Sequence, residues 1–491
     1  MYSVSVPTAM VDPRFHPRSR PPVSRREMLR TTSTGFGLLA LSGLMADPAY
    51  ATPVADAAPA APHFEPKVKS VIFCYMSGGL SHIDSFDPKP RLAEEAGQPM
   101  PFETARTMFN QDGNIMPSPW EFHRYGESGL PVSDLFPHIG TCADDIAVIR
   151  SMTAKFMEHA QGNFYFHCGQ PFTGFPSMGA WVNYGLGSES KDLPGFVVIG
   201  TGGIPLGGIN MFSSGFLPAE HQGSFLYPGA EEPLANIRPK EGDASQRRRL
   251  DFIRSLDSMY LERTEHHPQV EAAIKNYETA YLMQAAVPEL VDIRGETEAT
   301  RRLYGLDSTF PPKRDYALQC LTARRLVERG VRFVELTMVD GRNRGTGNSS
   351  NPWDQHTDLI VGHTRNAFAV DQPVAGLIQD LKARGLFDET LVIFSGEFGR
   401  TPFVQGTNGR DHNPFGFSLW LAGGGIKPGT VYGATDEYGY HAVEGIRTVH
   451  DLHATVLHLL GIDHTKLSYR FGGRDFRLTD VHGHLIEEVL A

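Results

Sequence analysis

The residues best able to do chemistry in this sequence are carboxylates and imidazoles that follow short apolar segments. Five segments carry them: Asp84 in SGGLSHID, His159 after Glu158, Asp354 and His356 in WDQH, Glu397 in SGEFGRTP, and Asp411 and His412 in GRDHNP. Their oxygen and nitrogen atoms are ligands that Zn, Mn, Ca or Mg accept. The segments together predict a site for one or two divalent metal ions.

Two further features suit an anionic substrate. Arg400 follows Glu397 closely and can offer paired hydrogen bonds to two oxygens of a sulfate or phosphate group. Ser77-Gly78-Gly79 either lets the backbone approach an anion or makes a tight turn. A divalent ion beside them polarises an ester oxygen and lowers the pKa of bound water to about 7. We therefore predict Arg400 as a catalytic anion clamp.

The elements that must position these residues alternate between apolar strands and helices. Strands are predicted at 71–76, 146–152, 196–199, 331–338, 391–394 and 417–421. Helical periodicity covers 316–329 and 368–384. Continuous apolar strands that alternate with helices indicate an α/β fold with a mostly parallel central sheet and helices on both faces. Ligands of such sheets bind beyond the carboxyl ends of the strands, where the polar segments lie.

The mature chain is predicted to be one domain, 67–491, with a helical insertion or cap. The insertion covers about 202–312, where a Gly/Pro-rich loop precedes long polar helices. With a net charge of −11 the chain lacks the basic balance typical of nucleic-acid binders. The four cysteines show no CxxC pair, and buried free thiols are favoured over one or two disulfides.

Residues 1–51 have the order of an export signal. Arg25 and Arg26 precede a short apolar run, and Ala49-Tyr50-Ala51 offers small residues to a signal peptidase. The paired arginines predict the twin-arginine type of signal, and the run is too short to span about 30 Å of hydrocarbon. An Ala/Pro-rich tether, 52–66, follows. We expect a periplasmic or secreted protein without a transmembrane segment in its mature chain.

Several segments resemble a family of twin-arginine-exported bacterial proteins known as domain of unknown function 1501. They are SGGLSHIDSFDPKP, WDQH, FSGEFGRTP, GRDHNP and LAGGGIKPGTVYGATDE. The family is related to the sulfatase and alkaline phosphatase superfamily, so the resemblance implies an alkaline phosphatase-like fold. It also implies metal ligands at these positions: Asp84 near the N-terminus, the pair Asp354 and His356, the late acidic Glu397, and Asp411 with His412.

The sequence departs from the sulfatases at the nucleophile. Where a Cys, Ser or Thr is expected, His159 stands, and neither Ser151, Thr153 nor Ser177 matches well. His159 is then either an extra metal ligand, with water attacking directly, or is attacked itself. We favour the ligand, because neutral imidazole is the commonest nitrogen ligand.

Three functions remain open from the sequence. The first is a metal-dependent hydrolase of sulfate or phosphate esters, with a small-molecule or polysaccharide substrate. The second is a metal-dependent carbohydrate isomerase, mutase or lyase. The third is a non-catalytic binding or structural protein on the same fold.

Overall fold

The computed structural model describes residues 61–105, 113–235, 237–238, 242–263, 268–338 and 350–491. The predicted export signal and most of the tether lie outside these residues. Ten α-helices fall within them: α1 Pro90–Glu94, α2 Pro137–Gly140, α3 His159–Cys168, α4 Met178–Leu186, α5 Asp243–Arg263, α6 Pro268–Val291, α7 Glu298–Tyr304, α8 Pro311–Val327, α9 Leu359–Ala383 and α10 Val449–Leu459. None of the described helices combines the length and the apolar composition that a membrane span needs.

The strands are short, as is usual for a sheet that is covered by helices. In chain order they are β1 Ser70–Tyr75, β2 Phe122–Tyr125, β3 Leu130–Ser133, β4 Ile146–Thr153, β5 Phe196–Ile199, β6 Ser224–Leu226, β7 Phe333–Thr337, β8 Thr390–Ser395, β9 Gly399–Gln405, β10 Gly409–Asn413, β11 Phe417–Gly423, β12 Thr430–Tyr432, β13 Ala434–Thr435, β14 Ala442–Glu444, β15 Arg447–Thr448, β16 Tyr469–Phe471 and β17 Arg474–Phe476.

Nine of these strands form the central sheet. Their order is β12-β4-β11-β8-β1-β7-β5-β6, and β15 also pairs with β4. Only β11 runs antiparallel to its neighbours, β4 and β8, while the other pairs of this sheet are parallel. All six predicted strands belong to this sheet, so the predicted α/β class with a mostly parallel sheet is confirmed.

Helices cover both faces of the sheet, because successive strand residues point to opposite sides. In β1, Ile72 and Cys74 join a core that includes residues of α6, α8 and α9. The alternate residues Val71, Phe73 and Tyr75 join a second core that includes residues of α3, α4 and α10. The four cysteines are buried, free thiols.

The segment 202–312 contains both helices and a strand. The long helices α5 and α6 are joined by an ion pair between Arg254 and Glu278, 3.0 Å. One face of α6 packs on the sheet through Met283, Val287 and Leu290. The same segment supplies β6, which pairs in parallel with β5 at the end of the sheet.

Candidate metal centre

The site lies where several strands end. The strands β1, β7 and β8 are parallel neighbours, so their carboxyl ends share one edge of the sheet. The loop after β1 carries Gly78, and the loop after β8 carries Glu397. β4 leads into α3, which begins at His159, and the hairpin of β9 and β10 brings His412 to the same place.

Four side chains converge there: His159, Asp354, His356 and His412. Each offers one ligand atom, and these four atoms lie within 4.8 Å of one another. The Nε2 atoms of His356 and His412 lie 2.9 and 3.2 Å from Asp354 Oδ1, and His159 Nε2 lies 3.1 Å from Asp354 Oδ2. The side chains of His159 and His412 are 6% and 3% exposed, while those of Asp354 and His356 are 15% and 24% exposed. The cluster is therefore open to solvent on one side only.

The other nitrogen of each imidazole is held by an oxygen acceptor. His159 Nδ1 lies 2.6 Å from Glu397 Oε1, His412 Nδ1 contacts the carbonyl of Met157, and His356 Nδ1 contacts Gln405 Oε1. Each Nδ1 must carry the hydrogen in order to donate to these acceptors. In the neutral imidazoles Nε2 is then a lone pair, and all three lone pairs face the anionic carboxylate of Asp354.

Such an arrangement fits a cation. Four acceptor atoms facing one another repel unless a metal ion or a proton lies among them. His159 Nε2 illustrates this: it is buried and close to Asp354, yet it is not aligned for a hydrogen bond. Imidazoles whose second nitrogen donates to a carboxylate or carbonyl are usual in metal sites, where they fix the ring and raise its basicity. Three nitrogens and one carboxylate suit Zn or Mn better than Ca or Mg, which favour all-oxygen sites.

The electrostatics of the metal-free cluster place one proton on His159. Burial alone would lower the pKa of His159, but the carboxylates of Asp354 and Glu397 raise it to about 9. Burial lowers the pKa of His412 to about 3, against the opposing effect of Asp354. Burial would raise the pKa of Asp354, but Arg400 and the three imidazoles hold it far below its ordinary value. A metal ion would therefore meet one ionised carboxylate and one proton to displace.

Glu397, predicted as a ligand, lies behind the cluster instead. Its Oε1 accepts the Nδ1 hydrogen of His159 and the backbone N–H of Gly78, at 2.6 and 2.9 Å. The side chain is fully buried. Glu397 therefore orients the ring of His159 and is not itself among the four converging side chains. The Gly78 backbone approaches an anion as anticipated, but that anion is the protein's own carboxylate.

Arg400 does not act as the predicted anion clamp in this structure. It is fully buried, and its guanidinium makes five hydrogen bonds inside the protein. One goes to Asp354 Oδ1 at 2.7 Å, and the others go to the carbonyls of Gly78, Gly79, Trp353 and Arg410. These contacts take up the Nε and Nη2 hydrogens and one hydrogen of Nη1, so Arg400 is bonded to Asp354 and to backbone carbonyls.

Asp84 lies apart from the cluster, contrary to the prediction that it is a ligand. Its carboxylate forms a bidentate ion pair with Arg410, at 2.7 and 3.1 Å, and accepts a hydrogen bond from Ser81. Both charged side chains are fully buried. Asp411 is also buried, and its Oδ1 lies 3.9 Å from His356 Nδ1 and accepts the backbone N–H of His412. It therefore bonds to the backbone of His412 and lies near His356, but it is not among the four.

His159 occupies the first position of α3, and the side chain of Glu158 caps that helix by accepting the N–H of Gln161. The helix start therefore presents an imidazole to the cluster. The predicted alternatives Ser151 and Thr153 have hydroxyls that donate to the carbonyls of Gly445 and Arg447.

Two groups that hold the imidazoles were not predicted from the sequence: the side chain of Gln405 and the carbonyl of Met157. Gln405 ends β9, where its amide oxygen holds His356. A glutamine at a strand end carries no signal of such a role, and a backbone carbonyl carries none in any sequence. His159 could be found from its place after the strand at 146–152, where the sulfatases that the sequence resembles have their nucleophile.

The chain is similar to several solved structures. No curated protein matches the sequence. The lipoteichoic acid synthase LtaP from Listeria monocytogenes is 10% identical, with a TM-score of 0.34 over 82% of this chain and 74% of that one. The PsFucS1 sulfatase from Pseudoalteromonas sp. is 13% identical, with a TM-score of 0.34 over 88% of this chain and 72% of that one. The alkaline phosphatase from the Antarctic bacterium TAB5 is 10% identical, with a TM-score of 0.32 over 75% of this chain and 94% of that one.

The family of the chain is shown by a match between its sequence and a family model. The model of the family described as "Protein of unknown function (DUF1501)" matches residues 68–490. This range holds all the strands of the sheet and the four converging side chains. The resemblance drawn from the sequence segments is therefore confirmed, and the chain belongs to the DUF1501 family.

Proposed function

We propose that this chain is an exported, metal-dependent hydrolase of sulfate or phosphate esters. The observation that carries the proposal is the set of three imidazoles, each with Nδ1 held by an acceptor and Nε2 turned toward Asp354. A divalent ion bound there would supply Lewis acidity toward an ester oxygen and lower the pKa of a water molecule.

The residues of the chain would bind the ion, orient its ligands and leave one side open to the substrate. His159, His356, His412 and Asp354 would hold the ion, and Glu397 keeps the ring of His159 in place. The partly exposed side of Asp354 and His356 is where an ester would approach. Water is the proposed nucleophile, because an imidazole stands where a hydroxyl or thiol would be needed for a covalent ester. The water oxygen bonds to sulfur or phosphorus while the bond from that atom to the ester oxygen breaks. A proton lost by the water ends on the ester oxygen, which leaves as an alcohol.

The test is a panel of chromogenic sulfate and phosphate esters with the mature protein, stripped of metal and reloaded with Zn, Mn, Ca or Mg. We expect turnover that depends on the metal and is lost in Asp354→Asn. The variant Glu487→Gln, at an exposed carboxylate close to the end of the chain, serves as the control and should keep full activity. In water labelled with ¹⁸O, one labelled oxygen should enter the sulfate or phosphate product in a single step, with inversion at sulfur or phosphorus. Absence of turnover with every metal and ester would refute the proposal.

A second candidate is a binding or structural protein that holds a metal without chemistry. The burial of Arg400 favours it, because the cation predicted to hold an anionic ester is occupied within the protein. This alternative predicts stoichiometric metal and a higher melting temperature on loading, with no turnover of any ester.

The export proposal rests on Arg25 and Arg26. The twin-arginine machinery carries folded proteins, so a metal site completed before export is compatible with it. Changing both residues to Lys should leave the precursor in the cytoplasm, as measured by cell fractionation. Undiminished accumulation of the double variant in the periplasm would contradict the proposal.

A further inference from the structure

A buried hydroxyl lies directly behind Glu397. Tyr75, the last residue of β1, is fully buried, and its hydroxyl lies 3.1 Å from Glu397 Oε2. The same hydroxyl contacts the side-chain oxygen of Asn163. It carries a single hydrogen, which Asn163 Oδ1 and Glu397 Oε2 share.

The orientation of Asn163 is fixed from the other side. Its Nδ2 donates to the carbonyl of Leu206 at 2.6 Å, so Oδ1 must face Tyr75. Its backbone carbonyl accepts the Nδ1 hydrogen of His167 at 2.7 Å. His167 Nε2 in turn lies 2.7 Å from Glu335 Oε1 on β7, and both side chains are 2% exposed. Asn163 is thus held by His167, which Glu335 of β7 anchors, and by the carbonyl of Leu206.

Asn163 is also one helical turn beyond His159. Residues separated by four positions lie on the same side of an α-helix, so both side chains of α3 face the end of β1. Glu397 lies between Tyr75 and His159, and contacts both. A continuous hydrogen-bonded path therefore runs from Asn163 through Tyr75 and Glu397 to His159.

We infer that Tyr75 and Asn163 are positioning residues that fix the Glu397 carboxylate, and through it the Nε2 atom of His159 that faces the metal. The inference rests on the proposed metal site. Glu397 has three donors: His159 Nδ1, the Gly78 N–H and the Tyr75 hydroxyl. Without the hydroxyl, Oε2 retains only the Gly78 N–H, which it shares with Oε1, and the carboxylate gains freedom to rotate. Loss of such supporting partners typically weakens metal binding by about 10- to 100-fold.

The test compares two conservative variants. Tyr75→Phe removes only the hydroxyl, and Tyr304→Phe is its matched control. Tyr304 is also fully buried, and its hydroxyl donates to the buried carboxylate of Asp380 at 2.9 Å, within the α7–α9 core and away from the cluster. Both variants lose one hydroxyl–carboxylate bond, so similar decreases in melting temperature are expected.

Two measurements separate positioning from general destabilisation. Zinc affinity, measured by competition with a chelator, should fall by about 10- to 100-fold in Tyr75→Phe and stay within about threefold in Tyr304→Phe. In metal-free protein labelled with ¹⁵N-histidine, the ring signals of His159 should shift in Tyr75→Phe only, with the assignment taken from His159→Gln. Asn163→Ala changes how the Tyr75 hydrogen is shared, so it should also shift the ring signals of His159, which keeps the test available if one variant fails to fold.

Unchanged zinc affinity and unchanged His159 signals in Tyr75→Phe would overturn the inference. An equal loss of affinity in Tyr304→Phe would also overturn it, because the effect would then be general. The ring signals need no metal and no substrate. A wild-type protein that hydrolyses no ester would therefore contradict the proposed function while leaving this inference to stand or fall on its own measurements.

Discussion

The carboxylates of Asp354 and Asp84 differ in their surroundings: the side chain of Asp354 is 15% exposed, and that of Asp84 is fully buried. Asp354 faces three imidazoles and Arg400, whereas Asp84 is paired with Arg410 through two hydrogen bonds. The Arg410 guanidinium binds both oxygens of Asp84, whereas Arg400 bonds to Oδ1 of Asp354, and Oδ2 of Asp354 faces His159 Nε2.

This difference predicts opposite outcomes for the same substitution. Asp84→Asn should keep stoichiometric metal but lower the free energy of unfolding by about 3 kcal/mol, because it leaves Arg410 buried without its counter-charge. Asp354→Asn should lose most of the metal. Metal analysis after dialysis and urea unfolding measure the two effects. Loss of metal in Asp84→Asn at unchanged stability would restore Asp84 to the ligand set.

The proton on His159 makes metal binding depend on pH. Its pKa in the metal-free protein is raised to about 9, so the ring is charged at pH 7 and a metal must displace that proton. Since the pKa of His412 is lowered to about 3, that ring is already neutral. Binding at pH 7 should release about one proton, and affinity should rise about tenfold per pH unit up to about 9.

Calorimetric titrations of the metal in buffers of different ionisation enthalpy measure this release directly. His159→Gln should bind more weakly and release no proton. Binding by the wild-type protein without proton release would show that His159 is neutral before the metal arrives, contrary to the electrostatics of the cluster.

At the level of the elements, the loop after β1 and the loop that carries Asp354 pack backbone against backbone. A Cβ on Gly78 would lie 2.7 Å from the Asp354 nitrogen and 2.8 Å from the Trp353 nitrogen, and φ of Gly78 is +110°. The glycine is therefore required by both conformation and space.

Gly78→Ala should displace the Asp354 loop and weaken metal binding by at least tenfold, as checked by chelator competition. Gly97→Ala is the matched control: its φ is also positive, +79°, but a Cβ there meets nothing within 4 Å. It should cost about 1 kcal/mol of backbone strain and leave metal affinity unchanged. Equal metal affinity in both variants would show that the close approach does not position Asp354.

The strands of the central sheet could be predicted from the sequence because each is a short apolar run that is buried on both faces. The grouping of polar residues at the strand ends could also be predicted, because the ligands of parallel sheets bind beyond the carboxyl ends of the strands. Which member of a polar segment faces the site could not be predicted. In GRDHNP, Arg410, Asp411 and His412 are adjacent, and β10 has an irregular register between Arg410 and His412. Such a bulge changes the direction of side chains, so alternation does not decide which one reaches the cluster.

At the scale of the whole molecule, buried histidines make stability depend on acidity. His453 in α10 is fully buried and contacts the carbonyl of Phe166 at 2.7 Å. Burial lowers its pKa to about 3. Above pH 6.5 the ring is neutral in both the folded and the unfolded chain. Between pH 6.5 and 3 the unfolded chain binds a proton that the folded protein does not, so stability falls as the pH decreases.

The expected loss from His453 alone is about 2 kcal/mol at pH 5 relative to pH 8. In urea unfolding of metal-free protein, His453→Gln should reduce the difference in stability between these pH values by that amount. His458→Gln, a partly exposed position of the same helix, is the control and should keep the full difference. An identical pH dependence in both variants would assign the acid sensitivity to other groups.

The order of strands in the central sheet has a consequence for biosynthesis. The first strand pairs with late strands, Ser70 with Thr390 and Val71 with Phe333, and β4 reaches the rest of the sheet only through β11. A ribosome must therefore release nearly the whole chain before the middle of the sheet can close, and long-range pairing of this kind is slow. Truncated products lacking β11 would expose unpaired strand edges to proteases and chaperones. His412 is the last of the four converging side chains in the sequence and lies just before β11, so the cluster is completed by the same late part of the chain that joins β4 to the sheet.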